Sequence, residues 1–241
     1  MSTNSRSASA ASAFARRPPH VVLIGGGTGL STLLHGLKAW ASPERPQVRI
    51  TAIVTVTDDG GSSGRLRRDF SVLPPGDIRN CLVALSEDEA LLSQMFRYRF
   101  KEGRGLKGHS FGNLFLTALT DLTGDFARAV RLSSEILASR GDIIPSTAEN
   151  VVLEAKLADG RIVQGESNIS KSREPIDRIF IGPHAPEPFA ESLDAIRDAD
   201  LITLGPGSLF TSVIPNLLVR RIPQAIMKAT GVRAYITNLM G

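Results

Sequence analysis

A glycine turn near the start of the chain has the composition of an anion-binding site. Residues 25–29 read GGGTG, and they join the apolar run Val21–Ile24 to leucines that recur at helical spacing. A helix N-terminus offers unpaired backbone N–H groups and the positive end of the dipole, and glycine lets a phosphate approach closely. Although many α/β folds use glycine there merely to turn the chain, we expect phosphate contacts from Gly26, Gly27, Thr28 and Gly29.

The turn does not specify a nucleotide. Gly25 and Gly27 fit the dinucleotide fingerprint G-x-G-x-x-G, but Leu30 stands at its third glycine position. The lysine of a P-loop is also missing from the turn. Leu30 weakens an NAD-dependent dehydrogenase as an interpretation, and the missing lysine argues against a P-loop.

A second glycine loop resembles the first in design. Residues 203–212 read TLGPGSLFTS, and they follow a predicted strand and precede a helix. Two such turns at one sheet edge fit a diphosphate ligand, with sugar or base nearby. The residues that we expect to contact it are Gly205, Gly207, Ser208 and Thr211.

Acidic and basic residues follow the second predicted strand in VTDDGGSSGRLRR, residues 56–68. Open α/β sheets bind ligands at the carboxyl ends of their strands, where Asp58 could accept from a ribose hydroxyl or hold a divalent cation. Asp59 is expected to shape the turn. Among the arginines, we expect Arg65 to contact a diphosphate, although such a charge run is usually a solvated face.

The motif PPGDIRN presents Asp77 at the start of a helix, with Asn80 one turn later. As an N-cap, Asp77 would contribute roughly 1 kcal/mol to helix stability. The turn is more elaborate than capping requires, so ligand contacts from Asp77 and Asn80 are the second interpretation.

In GHSFGN, two glycines bracket His109 and Ser110 before an apolar helix that contains Asn113. His109 could act as an acid, a base or a phosphate partner, and Ser110 could be a helix cap. Ligand binding by His109, Ser110 and Asn113 therefore competes with a purely structural role.

These loops require a sheet that brings strand ends together. The apolar run, the helix and the β-branched run Val48–Val56 predict a right-handed parallel βαβ unit. Ser86 and Glu89 predict a capping box, and alternating residues around Asp159-Gly160 predict a β-hairpin. RAYITNLMG, residues 233–241, predicts a last strand. The expected fold is α/β: a Rossmann-like doubly wound, mostly parallel sheet with a β-hairpin insertion.

Composition excludes several classes of protein. The chain has 241 residues, 42% of them hydrophobic, and Cys81 is its single cysteine, so an internal disulfide framework is excluded. The net charge of +4 and 5% aromatic content make nucleic-acid binding an unfavourable interpretation. No apolar run approaches membrane-spanning length. Residues 1–19 are Ser/Ala/Arg-rich without an acid, which predicts a disordered tail; an organelle transit peptide is the alternative.

The motifs GGGTG, TDDGGSSG, PPGDIRN, GHSFGN and LGPGSLFTSVIPNLL occur in this order, and together they resemble the YvcK/CofD-like family. They match its YvcK-type gluconeogenesis factor branch better than its CofD branch. The resemblance implies a cytoplasmic Rossmann-like protein that binds nucleotide sugars such as UDP-N-acetylglucosamine. It also implies support of gluconeogenic growth, cell shape and cell-wall synthesis. Because family members usually continue beyond YITNLMG, residues 20–241 are expected to be a nucleotide-binding domain truncated at its C-terminus.

The CofD branch implies an enzyme instead. Its members transfer a phospholactyl group from a guanosine diphosphate-linked donor to a deazaflavin precursor, with magnesium. Asp77 corresponds to an aspartate that contacts the deazaflavin there, which would make Asp77 catalytic and let Asp58 and Asp77 hold Mg²⁺. We prefer the interpretation as a regulator with little or no catalytic activity, and we assign it no cofactor. The sequence does not decide whether the protein forms a homo-oligomer.

Overall fold

The computed structural model describes residues 17–42, 44, 46–87, 91–182 and 184–238. Its strands are β1 (His20–Gly25), β2 (Arg49–Val54), β3 (Asp142–Pro145), β4 (Val152–Leu157), β5 (Ile162–Gln164), β6 (Ile176–Gly182), β7 (Leu201–Leu204) and β8 (Val232–Tyr235). Its α-helices are α1 (Gly27–Leu37), α2 (Gly61–Phe70), α3 (Gly76–Leu85), α4 (Leu91–Arg97), α5 (Phe111–Thr123), α6 (Phe126–Ile136), α7 (Glu166–Ile169), α8 (Ala190–Arg197), α9 (Ile214–Leu217) and α10 (Ile222–Lys228). A short 3₁₀ turn covers Lys38–Trp40, and a π-helical turn covers Leu209–Val213.

The main sheet has five strands in the order β3-β2-β1-β7-β8, and every neighbouring pair is parallel. The predicted βαβ unit of β1, α1 and β2 is confirmed. The strand order reverses between β1 and β7, and open α/β sheets bind ligands in the crevice at such a switch point. Both glycine loops follow strands that flank this position.

The core lies on both faces of the sheet, because alternate residues of a strand point to opposite sides. Val21 and Leu23 belong to an apolar cluster that includes buried residues of α1 and α3. Val22 and Ile24 belong to a second cluster with residues of α8 and α10. All six residues of β1 are buried, as its continuous apolar run predicts.

The predicted hairpin is confirmed in a three-stranded antiparallel sheet with the order β5-β4-β6. Its turn lies at Asp159-Gly160, and Gly160 has a φ of +87°. We call this sheet together with α7, residues 152–182, the insertion. Strands β3 and β6 were not predicted: β3 has only four residues and ends in a proline, so it carries almost no periodic signal.

The predicted capping box is wrong at Ser86. This serine ends α3 instead of beginning the next helix, and its hydroxyl donates to the Val83 carbonyl at 2.9 Å. The Ser86 and Ser93 hydroxyls also lie 2.8 Å apart. Glu89, the other half of the predicted box, lies outside the described residues. The next described helix, α4, covers Leu91–Arg97.

At the two ends, residues 1–16 and 239–241 lie outside the described residues, so the predicted tail is described only at 17–19. Arg17 forms an ion pair with Asp200 at 3.4 Å, and the Pro19 carbonyl accepts from the Arg49 N–H. The last strand, β8, is shorter than predicted. In the described part of the chain, no helix is both long and apolar enough to cross a membrane.

Candidate functional site

The two glycine loops contact each other at the carboxyl ends of β1 and β7. A Cβ on Gly29 would lie 2.7 Å from the Pro206 oxygen and 3.0 Å from the Gly207 Cα, so only glycine permits this approach. Gly27 has a φ of +65° and Gly205 a φ of +82°. The backbones of the two loops therefore form one surface beside the N-terminus of α1.

Asn216, which the sequence reasoning missed, ties this surface to α9. Its side-chain Nδ2 donates to the Gly25 carbonyl at 3.1 Å and to the Ser212 carbonyl at 2.8 Å. The residue is fully buried, and its Oδ1 has no hydrogen-bond partner among the described residues. Ser208 accepts from the Thr211 N–H at 3.4 Å and thereby caps the π-helical turn. Both side chains hold the second loop in place.

The expectation that Asp77 is an N-cap is wrong. Pro75 occupies the cap position of α3, and Asp77 turns its carboxyl towards the first glycine turn. A Cβ on Gly26 would lie 2.7 Å from Asp77 Oδ2. Burial, and next the charge of Asp58, raise the pKa of Asp77 to about 7, while the Gly27 backbone N–H and Arg79 oppose the shift. The structure thus places a buried carboxyl on the turn itself.

Asp58 and Asp59 have different roles. Asp58 Oδ1 accepts from the Gly60 N–H at 2.8 Å, so Asp58 makes the local turn that was expected of Asp59. The other Asp58 oxygen packs so closely on Gly76 that any side chain there would overlap it. Asp59 reaches the insertion, where its Oδ1 accepts from the Ser167 N–H at 2.8 Å. Asp58 therefore packs against the start of α3, and Asp59 fastens the insertion to the loop after β2.

Glu166, the first residue of α7, is a further carboxyl, and it lies near enough to Asp58 and Asp77 for their charges to act on it. Burial raises its pKa to about 8, followed by the charges of Asp77 and Asp58, and a hydrogen bond from the Thr211 side chain opposes the shift. No local sequence pattern indicates that Glu166 belongs to the site, because it lies in the insertion and not in one of the predicted loops. The described residues contain no group of three or more His, Cys, Asp or Glu positioned to hold a metal ion.

The GHSFGN loop contacts the start of α2 instead of the glycine loops. His109 is buried, its Nδ1 lies 3.0 Å from the Ser62 hydroxyl, and burial followed by the Arg65 charge lowers its pKa. Ser110 is the N-cap of α5, because its Oγ accepts from the Asn113 N–H at 3.3 Å.

Asn113 connects three segments of the site. Its Nδ2 donates to the Ser63 hydroxyl at 3.3 Å, and its Oδ1 accepts from Arg79 Nε at 3.3 Å. Ser63, which the sequence reasoning missed, also lies against Gly76. The loops VTDDGGSSG, PPGDIRN and GHSFGN therefore meet at the start of α2.

The remaining predicted residues lie at the margin of this network. Arg65 donates to the Lys107 carbonyl at 2.9 Å and so supports the GHSFGN loop. Asn80 is half-buried on α3, one turn after Asp77. Thr28 lies in the first turn of α1, where its carbonyl accepts from the Thr32 hydroxyl at 2.8 Å.

Comparison with known proteins agrees with this arrangement. The family model described as 2-phospho-L-lactate transferase CofD matches residues 21–241. The chain belongs to the CofD family. Within that family it is 51% identical to the gluconeogenesis factor of Bacillus subtilis, over 92% of this chain and 68% of the relative. It is 56% identical to a putative gluconeogenesis factor of Nostoc sp., over 93% of this chain and 48% of the relative.

These relatives confirm the resemblance of this CofD-family chain to the YvcK-type gluconeogenesis factor branch. A crystal structure of a UPF0052-family protein from Bacillus halodurans has the same fold, with a TM-score of 0.87 and 52% identity. The match covers 92% of this chain and 70% of that protein. The chain thus spans between about half and about two thirds of the length of its curated relatives.

Proposed function

We propose that the chain is the nucleotide-sugar-binding part of a gluconeogenesis factor, a regulator that binds UDP-N-acetylglucosamine or a similar UDP-sugar. The observation that carries the proposal is the contact between the two glycine loops at the switch point. Backbone N–H groups in such loops bind phosphates without a dedicated side chain. Because the Gly27 N–H already contacts Asp77, the diphosphate would use the neighbouring N–H groups of both loops.

The regulatory part of the proposal rests on the family. The resemblance to YvcK-type proteins supports a cytoplasmic role in gluconeogenic growth, cell shape and cell-wall synthesis. In this proposal the ligand reports the supply of a nucleotide sugar, and the protein needs no catalytic step.

A thermal melt with and without ligand tests the proposal. A ligand that binds only the folded state adds about 2.7 kcal/mol at a hundredfold excess over its Kd. For a chain of this size, that corresponds to a rise of roughly 5 to 10 °C in Tm. We expect this rise with UDP-N-acetylglucosamine and a smaller one with UDP. A Tm that does not respond to either ligand would refute the proposal.

The runner-up is a 2-phospho-L-lactate transferase, and the carboxyls beside the first glycine turn favour it. In that reaction Asp77 would position the acceptor, while Asp58 and Asp77 would bind Mg²⁺ together with phosphate oxygens of the donor. Mg²⁺ commonly uses one or two carboxylates and substrate phosphates, so two carboxylates are enough. The bound ion would neutralise the donor's diphosphate. A Tm raised by GDP with Mg²⁺, but not by UDP-sugars, would favour this enzyme.

A further inference from the structure

Helix α4 and the loop that follows it, residues 91–107, form an exposed basic surface outside the glycine loops. The segment reads LLSQMFRYRFKEGRGLK, and its one acidic residue is Glu102. It has five basic residues, all of them exposed: Arg97, Arg99, Lys101, Arg104 and Lys107. Its net charge of +4 equals the net charge of the whole chain, so the charges of the other residues balance. We call residues 91–107 the basic surface.

Neighbouring carboxylates do not neutralise these positive charges. Four of the basic residues form no ion pair with any described residue: Arg99, Lys101, Arg104 and Lys107. On α2, beside the GHSFGN loop, Arg65 and Asp69 contribute one charge of each sign. The basic surface therefore produces a local positive potential, which attracts an anionic partner.

Large apolar side chains are exposed in the same segment. Leu91 is 71% exposed, and Met95, one turn later on the same face of α4, is 38% exposed. Leu92, Tyr98 and Leu106 are exposed as well. A charged face that only keeps a protein in solution needs no such side chains, whereas clustered exposed apolar residues mark an interaction surface. The partner must therefore offer apolar contacts as well as negative charge.

The basic surface has a fixed shape. Phe96 anchors α4, because it is fully buried and its ring lies 5.0 Å from the ring of Phe115, centroid to centroid. In the loop, the Gly108 N–H donates to the Phe100 carbonyl at 2.8 Å, and Arg99 Nη1 donates to the Gly108 carbonyl at 2.6 Å. A surface that is already ordered loses little conformational entropy when it binds.

We propose that the basic surface binds an anionic phospholipid membrane, a function that goes beyond the proposed ligand binding and does not depend on it. The basic side chains contact the headgroups, and the exposed leucines, Met95 and Tyr98 enter the boundary between headgroups and acyl chains. Each Lys or Arg near an anionic bilayer strengthens binding about fivefold. Nucleic acid also attracts positive charge, but it offers little apolar surface for the exposed leucines and Met95.

The test is co-sedimentation of the 241-residue chain with vesicles of phosphatidylcholine, either alone or with about 30% phosphatidylserine. The first variant removes three charges of the loop: Lys101→Ala, Arg104→Ala and Lys107→Ala. Its matched control has the same net charge but changes three exposed residues of the insertion: Lys171→Ala, Arg173→Ala and Arg178→Ala. The last variant tests the apolar contacts: Leu91→Gln and Met95→Gln. Circular dichroism and Tm establish that each variant is folded.

We expect the unmodified chain to bind the vesicles that contain phosphatidylserine and to bind phosphatidylcholine alone much more weakly. The loop variant should bind the anionic vesicles about a hundredfold more weakly, since it lacks three basic residues. The control should lose less than about threefold, because salt screens charges that lie away from the membrane. The variant of α4 should lose about tenfold through its apolar contacts.

Three outcomes would overturn the inference. The first is an unmodified chain that does not sediment with anionic vesicles. The second is an equal loss in the loop variant and its control, because net charge and not this surface would then determine binding. The third is an unmodified chain that binds a labelled DNA duplex in fluorescence anisotropy but no vesicles, which would assign the basic surface to nucleic acid.

Discussion

Asp77 gives the most direct test of the site, because its burial makes stability depend on pH without any ligand. The residue is 8% exposed, and burial together with Asp58 raises the pKa of its carboxyl from 3.8 to about 7. The folded protein therefore holds a proton on Asp77 that the unfolded chain has already released. Replacing Asp77 by asparagine removes this titration, while an amide oxygen can still accept from the Gly27 N–H.

The size of the effect follows from the pKa change. Because the folded pKa of an acid is raised, its ionisation opposes folding: the penalty is absent below pH 3.8, grows as pH rises, and is complete above about 7. The complete penalty is on the order of 4 kcal/mol. About 2 kcal/mol of it develops between pH 5 and pH 7. Asp77→Asn should therefore gain stability relative to the unmodified chain at alkaline pH, and much less at acidic pH.

Urea unfolding at about pH 5 and at about pH 8.5 measures this difference. We expect the free energy of unfolding of the unmodified chain to fall by about 3 kcal/mol more than that of Asp77→Asn across this range. The Asp77 charge also raises the pKa of Glu166, so Asp77→Asn changes the titration of both groups. The measured gain in stability therefore comes from Asp77 and Glu166 together. Asp121→Asn, an exposed aspartate on α5, is the control and should follow the unmodified chain. An identical pH dependence in the unmodified chain and Asp77→Asn would refute the conclusion that Asp77 is buried and keeps its proton in the folded protein.

Three further substitutions test the surroundings of the turn. Gly27→Val should abolish UDP-sugar binding in a titration, because φ is +65° at this position and valine rarely adopts it; a folded variant with normal affinity would remove the turn from the site. Asn216→Ala should lower the free energy of unfolding, measured in urea, by about 2 kcal/mol, because it removes one hydrogen-bond donor from the buried Gly25 carbonyl. A decrease smaller than about 0.5 kcal/mol would contradict that role. Asp59→Ala should speed limited proteolysis within the insertion, because the Ser167 N–H loses its acceptor, and an unchanged cleavage rate would show that other contacts hold the insertion.

The parts of the fold that could be predicted are those whose signal is local. The run Val21–Ile24 is apolar at every position, as a strand covered on both faces must be, and Asp159-Gly160 supplies the residues that a tight hairpin turn needs. Strand β6 pairs with β4 only through a long connection, and β3 is too short to show a period. Both were therefore missed, although each completes a sheet.

The candidate site was predicted in outline, because glycine and polar residues at strand ends mark the ligand edge of an α/β sheet. The role of each side chain was harder to predict. Local rules made Asp77 a helix cap, but the contact that fixes it comes from the first glycine turn, about 50 residues earlier in the chain. Asp59 and Ser167 are 108 positions apart, and no pattern within a window of sequence connects them. Tertiary contacts of this kind override capping and turn preferences.

Many polar side chains of these loops are used to hold the loops themselves. Ser208 caps the turn after the second glycine loop, Ser110 caps α5, and Arg65 binds the Lys107 carbonyl. The groups that remain for a ligand are glycine-loop N–H donors and the carboxyls from Asp58, Asp77 and Glu166. Donors suit an anion, and carboxyls suit hydroxyl groups or a cation. A ligand that joins a diphosphate to a hydroxyl-rich sugar would satisfy both sets at once, which is the reason for proposing a nucleotide sugar and not a simple anion.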